Sequence, residues 1–290
     1  MSWFQVPLSH GAVAIRERNS ASLALGCTLT SPCNANLIRA QRMMIRVPGA
    51  SLAARTVTQS SQLERRYEEL VGIVTSLHRS RPTAVAISSP RQSDREHYVA
   101  LAMTDTGPLF VKVSSDPQAV RQEQAVLECL DGRCGPFRVP RALGSGSTGQ
   151  RSWIATESLP IGRHTPVYEA DIAEVSRVLQ RCRLAVDGTA TDAIAHRDLS
   201  PWNARNCNGE LWLVDWSDTD VAPSGSDELY FLCASSSLGH PLPIPLPAFS
   251  KEAFESVHLL IEHRLARSDN LRDRAMREVL NTISEKGSER

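Results

Sequence analysis

The dipeptide Asn208-Gly209 is the strongest local constraint on the fold of this chain. Asn-Gly is typical of the two-residue type I′ turn that joins antiparallel strands. It lies between Ala204–Cys207 and Glu210–Val214, two short segments with strand character. Pairing these segments about the turn brings Asn203 and Asp215 together at the open end of the predicted hairpin.

The polar residues at this end are suited to hold a cation beside a base. An amide oxygen from Asn203 and a carboxylate from Asp215 are hard ligands of the kind that Mg²⁺ prefers. Asp198 lies on the segment that leads into the same end. Phosphoryl transfer from a nucleotide needs a metal to neutralise the phosphates and a carboxylate to accept the proton of the attacking hydroxyl. We therefore expect Asp198 to be catalytic and Asn203 and Asp215 to bind metal, although the same residues also suit turns and caps.

The residues around Asp198 carry a resemblance to a known superfamily. The run from His196 to Asn203 reads H-R-D-L-S-P-W-N, and Asp215-Trp216 follows the predicted hairpin. This pattern resembles the catalytic and metal-binding segments of the protein-kinase-like superfamily. Asp-Trp in place of Asp-Phe-Gly is similar to the small-molecule branch, which includes aminoglycoside phosphotransferases and choline kinases. The resemblance covers roughly residues 83 to 233.

The resemblance implies a fold, two cofactors and two supporting residues. The expected fold is α+β and two-lobed, with a small β-rich N-lobe, a mostly helical C-lobe and an N-terminal extension. ATP would be the phosphate donor and Mg²⁺ the metal. Asp227 matches the aspartate that supports the catalytic loop in this superfamily. We expect His196 to brace the same loop by a hydrogen bond.

The resemblance also implies a nucleotide-binding set upstream. Lys112 is a lone lysine in the apolar strand Leu109–Val113, where a buried ammonium needs a partner. Glu123, on the helix that follows, is the matching partner, and Glu128 is a second candidate. Glu157 and Leu159 would form the hinge segment to which adenine bonds. The alternatives are a surface lysine on an edge strand and a solvated helix charge.

Two glycine patterns depart from a simple nucleotide-binding interpretation. The expected phosphate loop, Ser89–Arg95, contains no glycine, so Arg91 or Arg95 would have to contact phosphate in its place. Gly144–Gly149 matches G-x-G-x-x-G, but a strand pattern follows it where a Rossmann site needs a helix. We interpret Gly144–Gly149 as a flexible connection between strands.

The periodicity of apolar residues suggests three regions. Residues 1–82 are predicted to be the extension, with one helix that begins near Ser61. Residues 83–157 would form the N-lobe and residues 158–290 the C-lobe. Within the C-lobe, the pattern predicts a helix from about Asp171 to Val186 and two more helices near the end of the chain.

Composition narrows the class of partner. The formal net charge is zero and the 32 basic residues are dispersed, which gives nucleic acid or an anionic membrane no electrostatic support. The sequence has no apolar run of membrane-spanning length. Its seven cysteines form no C-x-x-C pair, and reduced thiols suit the cytoplasm. A small-molecule substrate is the expected partner.

The predicted function is Mg²⁺-dependent transfer of the ATP γ-phosphate to a hydroxyl of a small molecule. Only Trp216–Ser226 separates Asp215 from Asp227, which is too short for a typical activation loop. We therefore expect neither a phosphorylation switch nor a protein substrate. A nucleotide-binding pseudokinase and a nucleotidyl transferase that uses the same site are the alternatives.

Overall fold

The computed structural model describes residues 3–6, 13–30, 40, 43, 46–47, 55–57, 61–88, 97–162, 164–170, 172–186, 189–267 and 270–288. The helices within these residues are α1 (Ser20–Thr30), α2 (Ser61–His78), α3 (Pro117–Leu130), α4 (Ile172–Leu179), α5 (Ser226–Ser237), α6 (Lys251–Arg267) and α7 (Leu271–Ser288). The strands are β1 (Trp3–Gln5), β2 (Val13–Ile15), β3 (Arg55–Val57), β4 (Ala84–Ser88), β5 (Tyr98–Thr104), β6 (Gly107–Ser114), β7 (Arg133–Cys134), β8 (Phe137–Arg138), β9 (Ala142–Thr148), β10 (Arg151–Glu157), β11 (His164–Pro166), β12 (Arg183–Val186), β13 (Thr189–Asp192), β14 (Ile194–Ala195), β15 (Ala204–Cys207), β16 (Glu210–Leu213) and β17 (Asp220–Val221). The predicted α+β class is confirmed.

Contacts divide the chain into two compact units. The first takes the described residues of Met1–Gln124 and Pro140–Thr165, with Cys207–Gly209. The second takes those of Ala125–Val139, Pro166–Asn206 and Glu210–Arg290. The first unit is β-rich, and the second holds helices α4 to α7.

An eight-stranded sheet forms the first unit, in the order β3-β1-β2-β4-β5-β6-β10-β9. Each neighbouring pair is antiparallel. Alternation along β4 shows how both faces are buried, since successive side chains of a strand point to opposite faces. Val85 and Ile87 pack in the core that contains α2, whereas Ala84 and Ala86 pack in the core that contains α1.

The N-terminal region differs from its predicted role as a separate extension. Strands β1, β2 and β3 belong to the same sheet as the strands after residue 83. Trp3 and Val13 are both 2% exposed and contribute to the two cores of the first unit. The predicted N-lobe, residues 83–157, also differs, because Ala125–Val139 falls within the second unit. The predicted helix near Ser61 is present as α2.

The G-x-G-x-x-G stretch forms a strand, so its interpretation as a flexible connection is wrong. Residues Ala142–Thr148 make up β9 and pair with β10. The reason is packing against Trp153: an added Cβ at Gly146 would lie 2.9 Å from Cζ2 of Trp153, and one at Gly144 would lie 2.7 Å from Cδ2 of Leu77. These glycines make room for apolar side chains against the strand.

The predicted helix from Asp171 to Val186 is correct only in its first half. Helix α4 ends at Leu179, and Arg183–Val186 is strand β12, paired antiparallel with β13. Val186 pairs with Thr189 across the dipeptide Asp187-Gly188. Asp-Gly is typical of two-residue hairpins, so a local turn signal outweighed the apolar periodicity here.

Helices α5, α6 and α7 build the core of the second unit. Their buried apolar residues form one cluster, with Leu229 and Tyr230 from α5, Ile261 from α6 and Met276 from α7. Asp227 and Tyr230 are three positions apart on α5, so they share one face of that helix. This core fixes the helices that carry several of the site residues described below.

None of the described helices combines the length and apolarity needed to cross a membrane. The described cysteines carry free thiols, namely Cys27, Cys129, Cys134, Cys182, Cys207 and Cys233. Burial raises the pKa of the Cys27 thiol to about 11, which favours its protonated form at neutral pH.

Candidate active site

The predicted hairpin is present and has the turn geometry that its sequence indicates. Strands β15 and β16 are neighbours in a five-stranded sheet of order β11-β15-β16-β8-β7. Asn208 and Gly209 have φ angles of 56° and 90°, as both central residues of a type I′ turn require. At the open end, the backbone N–H of Val214 donates to the carbonyl oxygen of Asn203 at 3.0 Å.

Asn203 orients the carboxylate of Asp198. Its Nδ2 donates to Oδ2 of Asp198 at 2.8 Å and to the backbone oxygen of Asp198 at 3.0 Å. Since the amide nitrogen is used in this way, the amide oxygen of Asn203 is the atom that can face a cation. The hairpin and the loop before it therefore bring Asp198 and Asn203 into direct contact.

Asp227 ties the same loop to helix α5. Its two carboxylate oxygens accept hydrogen bonds from the backbone N–H groups of His196 at 2.8 Å and Arg197 at 2.9 Å. Burial raises the pKa of Asp227, while His196 and the two backbone N–H groups oppose that rise. Arg197 has a φ of 61°, a left-handed conformation that is unfavourable for a non-glycine residue. The two bonds to Asp227 help to hold this conformation.

His196 braces the loop from inside. It is fully buried, and its Nε2 lies 3.1 Å from the carbonyl oxygen of Val214, to which it donates when Nδ1 accepts from the backbone N–H of Asp198 at 3.3 Å. Its ring centroid is 4.4 Å from that of Trp216. Both ring nitrogens thus have protein partners, as expected of a supporting residue.

Asp215 follows β16 and is exposed, with a φ of 64°. Ser217 donates its hydroxyl to Oδ1 of Asp215 at 3.0 Å. Among the described residues, no three His, Cys, Asp or Glu side chains cluster in a way that could hold a metal ion. Mg²⁺ in nucleotide enzymes is held by one or two carboxylates together with substrate phosphates. One carboxylate and one amide oxygen, from Asp215 and Asn203, fit that pattern.

Three residues that the sequence did not predict also belong to the surroundings of Asp198. Nη1 of Arg264 donates to Oδ1 of Asp198 at 2.8 Å and also contacts the hydroxyl of Tyr230. Tyr230 donates to the same Oδ1 at 2.8 Å. Nη2 of Arg264 donates to Oδ2 of Asp218 at 2.6 Å. We call Asp198, Asp218, Tyr230 and Arg264 the Arg264 cluster.

The charges of the Arg264 cluster support one another. Burial by itself would lower the pKa of Arg264, but Asp198, Tyr230 and Asp218 raise it above its ordinary value. Burial, followed by the neighbouring charge of Asp198, raises the pKa of Tyr230. Tyr230 therefore stays protonated and Arg264 stays charged at neutral pH.

Sequence signals for the Arg264 cluster differ among its members. Tyr230 could have been found, because it lies one helical turn after Asp227 and faces the same way. Arg264 has no such signal, since 66 positions separate it from Asp198. Asp218 could not be distinguished from the other polar residues of the turn after Trp216.

The first unit contains the predicted pair of Lys112 and Glu123. Nζ of Lys112 lies 2.9 Å from Oε2 of Glu123, and the two side chains are only 13% and 6% exposed. Val111 and Val113 belong to the core with α2, so alternation directs Lys112 to the other face of β6. The expected ion pair is thus present, whereas its role with a nucleotide stays a prediction. Glu128 is exposed, unlike Glu123.

Glu157 ends β10, and Leu159 follows two residues later. The N–H of Glu157 donates to the backbone oxygen of Arg141 at 2.9 Å, and its carbonyl accepts from Thr156 Oγ1 at 3.1 Å. Ser158 donates its hydroxyl to the carbonyl of Leu159 at 2.8 Å. The hinge role of this segment stays a prediction.

Two other predictions concern the flanks of the site. The glycine-free segment Ser89–Arg95, with Arg91 and Arg95, lies outside the described residues. Arg197, which a phosphorylation switch would need, donates from Nη1 to Oδ2 of Asp220 at 2.8 Å. An internal carboxylate therefore already meets this arginine.

Comparisons with known proteins give similarity at the level of structure. No family model matches the sequence, and no curated protein matches it. The structure is similar to that of a protein assigned as a fructosamine-3-kinase from Haemophilus somnus 129PT, at 11% identity, over 75% of this chain and 99% of the other, with a TM-score of 0.47. It is also similar to the aminoglycoside phosphotransferase APH(4)-Ia, at 10% identity, over 72% and 87% of the two chains, with a TM-score of 0.39.

A thermostable mutant of APH(4)-Ia, in a ternary complex with ADP and hygromycin B, is a further similar structure. It is 9% identical to this chain and covers 76% of it and 93% of its own length, with a TM-score of 0.40. The structures that this chain resembles thus include small-molecule kinases. At these identities and scores, the inference of function depends on the residues of the site.

Proposed function

We propose that this protein is a cytoplasmic small-molecule kinase that transfers the γ-phosphate of ATP to a hydroxyl group, with Mg²⁺. The observation that carries the proposal is the orientation of Asp198. Asn203 fixes one of its carboxylate oxygens, and Asp227 fixes the backbone of its loop. A carboxylate held in this way can accept the proton of a hydroxyl as that hydroxyl attacks phosphorus.

The metal would lie beside this base. Asn203, through its amide oxygen, and Asp215, through its carboxylate, would hold Mg²⁺, which neutralises charge on the phosphates when bound. Asn203 would then act twice, since its nitrogen orients Asp198 and its oxygen faces the metal. This double role explains why an amide suits position 203 better than a second carboxylate.

The first unit would bind the nucleotide. Lys112, held by Glu123, would contact the phosphates as a point charge. The hinge segment with Glu157 and Leu159 would contact adenine through its backbone. The buried pair supports this role because the lysine is fixed by its partner before any nucleotide arrives.

The experiment follows two labelled nucleotides in parallel. The protein is incubated with Mg²⁺ and a panel of polyols, sugars and amino alcohols, using ATP labelled at the γ- or the α-phosphorus. We expect label in an acceptor from γ-labelled ATP alone. Acceptor labelled from α-labelled ATP would instead indicate nucleotidyl transfer.

Calorimetry of ATP binding, with Mg²⁺ or with EDTA, accompanies the transfer assay. Metal-dependent ATP binding with no acceptor labelled in the panel would favour the pseudokinase alternative. Absence of nucleotide binding would contradict all three functions.

A further inference from the structure

The cation that contacts Asp198 bears on the chemistry of the acceptor. The hydroxyl to be phosphorylated has to approach Asp198, whose Oδ1 already contacts Arg264 and Tyr230. A carboxylate has about four lone-pair positions, and three are used here, by these two residues and by Asn203. One position therefore remains for a hydroxyl without any displacement of Arg264.

Arg264 is firmly placed. It extends from α6, whose residue Ile261 lies fully buried in the core of the second unit. Its guanidinium has three hydrogen-bond partners, two of them carboxylates. Moving it would separate two charge-assisted pairs, at 2.8 Å and 2.6 Å, so the acceptor meets a fixed cation.

The guanidinium also retains donors for a ligand. Its three contacts use three of its five N–H groups, which leaves Nε–H and one hydrogen on Nη2. The side chain is 20% exposed, close to the 16% of Asp198. A molecule that brings a hydroxyl to Asp198 therefore comes within reach of these donors.

We infer that Arg264 determines acceptor specificity and that the acceptor is a hydroxy compound with an anionic group, a carboxylate or a phosphate, near the reacting hydroxyl. This inference rests on the proposed function. The anion would accept the remaining N–H groups of Arg264 while the hydroxyl donates to Asp198. An acceptor with an ammonium group at the same point would face the guanidinium and be disfavoured.

Four probes with a common three-carbon skeleton test the inference. They are glycerol, glycerate, glycerol 3-phosphate and 3-amino-1,2-propanediol, which differ mainly in one neutral, carboxylate, phosphate or ammonium group. Transfer from γ-labelled ATP gives kcat/KM for each, and calorimetry gives the affinity of the protein for each without ATP. We expect glycerate or glycerol 3-phosphate to exceed the amino diol by about tenfold or more, as for a hydrogen bond to a charged group. The two anions distinguish a carboxylate from a phosphate.

Variants then show whether Arg264 is responsible. Arg264→Gln should remove most of the preference for the anion, and Arg264→Lys should restore part of it. Asp218→Asn should strengthen anion binding, because it releases a donor of Arg264 and removes a competing charge. This gain cannot result from unfolding. Arg177→Gln, at an exposed position on α4, removes one positive charge from the same unit and should leave the preference unchanged.

The outcomes separate this inference from the proposed function. Transfer with a preference for the amino diol, or an anion preference that survives in Arg264→Gln, overturns the inference and leaves the kinase function intact. If no probe is phosphorylated, affinity decides. Arg264-dependent anion binding supports the inference while turnover fails, and equal affinities for the anions and the amino diol overturn it.

Discussion

Two ion pairs in this molecule have similar lengths and different surroundings. Lys112 and Glu123 are 2.9 Å apart, with side chains 13% and 6% exposed. Arg264 and Asp198 are 2.8 Å apart, with side chains 20% and 16% exposed, and Arg264 divides its charge between Asp198 and Asp218. The first pair joins a strand to the following helix, whereas the second joins a loop to a distant helix.

The difference indicates two uses for a paired charge. In the first pair, each ion gives the other charge compensation in a largely dry environment. In the Arg264 cluster, one cation is shared among several acceptors and keeps donors for a ligand. Burial should therefore decide how strongly each pair affects stability, while accessibility should decide how strongly it affects substrate choice. Three substitutions, ordered by expected loss of stability, test this comparison.

Glu123→Gln should have the largest effect on stability. It removes the carboxylate that compensates a buried ammonium, and breaking a buried pair costs about 3–5 kcal/mol. The measurement is the free energy of unfolding in urea, with Glu128→Gln, at an exposed position on the same helix, as the matched control. A loss no greater than that of the control would mean that the Lys112 ammonium does not depend on Glu123.

Arg264→Gln should have an intermediate effect on stability. It removes hydrogen bonds to charged partners, but the side chains of Asp198 and Asp218 are 16% and 30% exposed, so water can compensate in part. We expect a loss of about 1–3 kcal/mol in the free energy of unfolding. A loss larger than that of Glu123→Gln, measured in the same urea titration, would reverse the proposed order.

Asp220→Asn should have the smallest effect. Asp220 pairs with Arg197 at 2.8 Å, but its side chain is 59% exposed. Exposed pairs contribute about 0–1 kcal/mol, and salt screens them. The difference in unfolding free energy from the unmodified protein should be small at low salt and should shrink further at 1 M NaCl. A large, salt-independent loss would show that Arg197 needs this partner to keep its left-handed backbone.

The sequence predicted best where the signals are local. The type I′ turn at Asn208-Gly209 has a specific dipeptide, and Lys112 and Glu123 are only 11 positions apart on consecutive elements. The contact between Asn203 and Asp198 likewise lies within one short segment. In each case, a few residues of known geometry fix the distance without knowledge of the whole fold.

The predictions failed where non-local packing or an overlooked turn decided the structure. Gly144 and Gly146 were interpreted as flexible because glycine has no side chain, whereas they give Trp153 and Leu77 room against β9. Arg264 comes from a helix whose apolar periodicity was visible, but no local pattern could show that this position meets Asp198. Contacts across 66 positions depend on how helices pack, which one sequence does not specify.

The most direct test of the central claim compares the unmodified protein with Asp198→Asn. The amide keeps the shape of the carboxylate and cannot accept a proton as a base does. With ATP, Mg²⁺ and an acceptor that the unmodified protein phosphorylates, we expect transfer to fall about 10²–10⁴-fold while affinity for ATP is unchanged. Transfer by Asp198→Asn at the rate of the unmodified protein would contradict the assignment of Asp198 as the catalytic base.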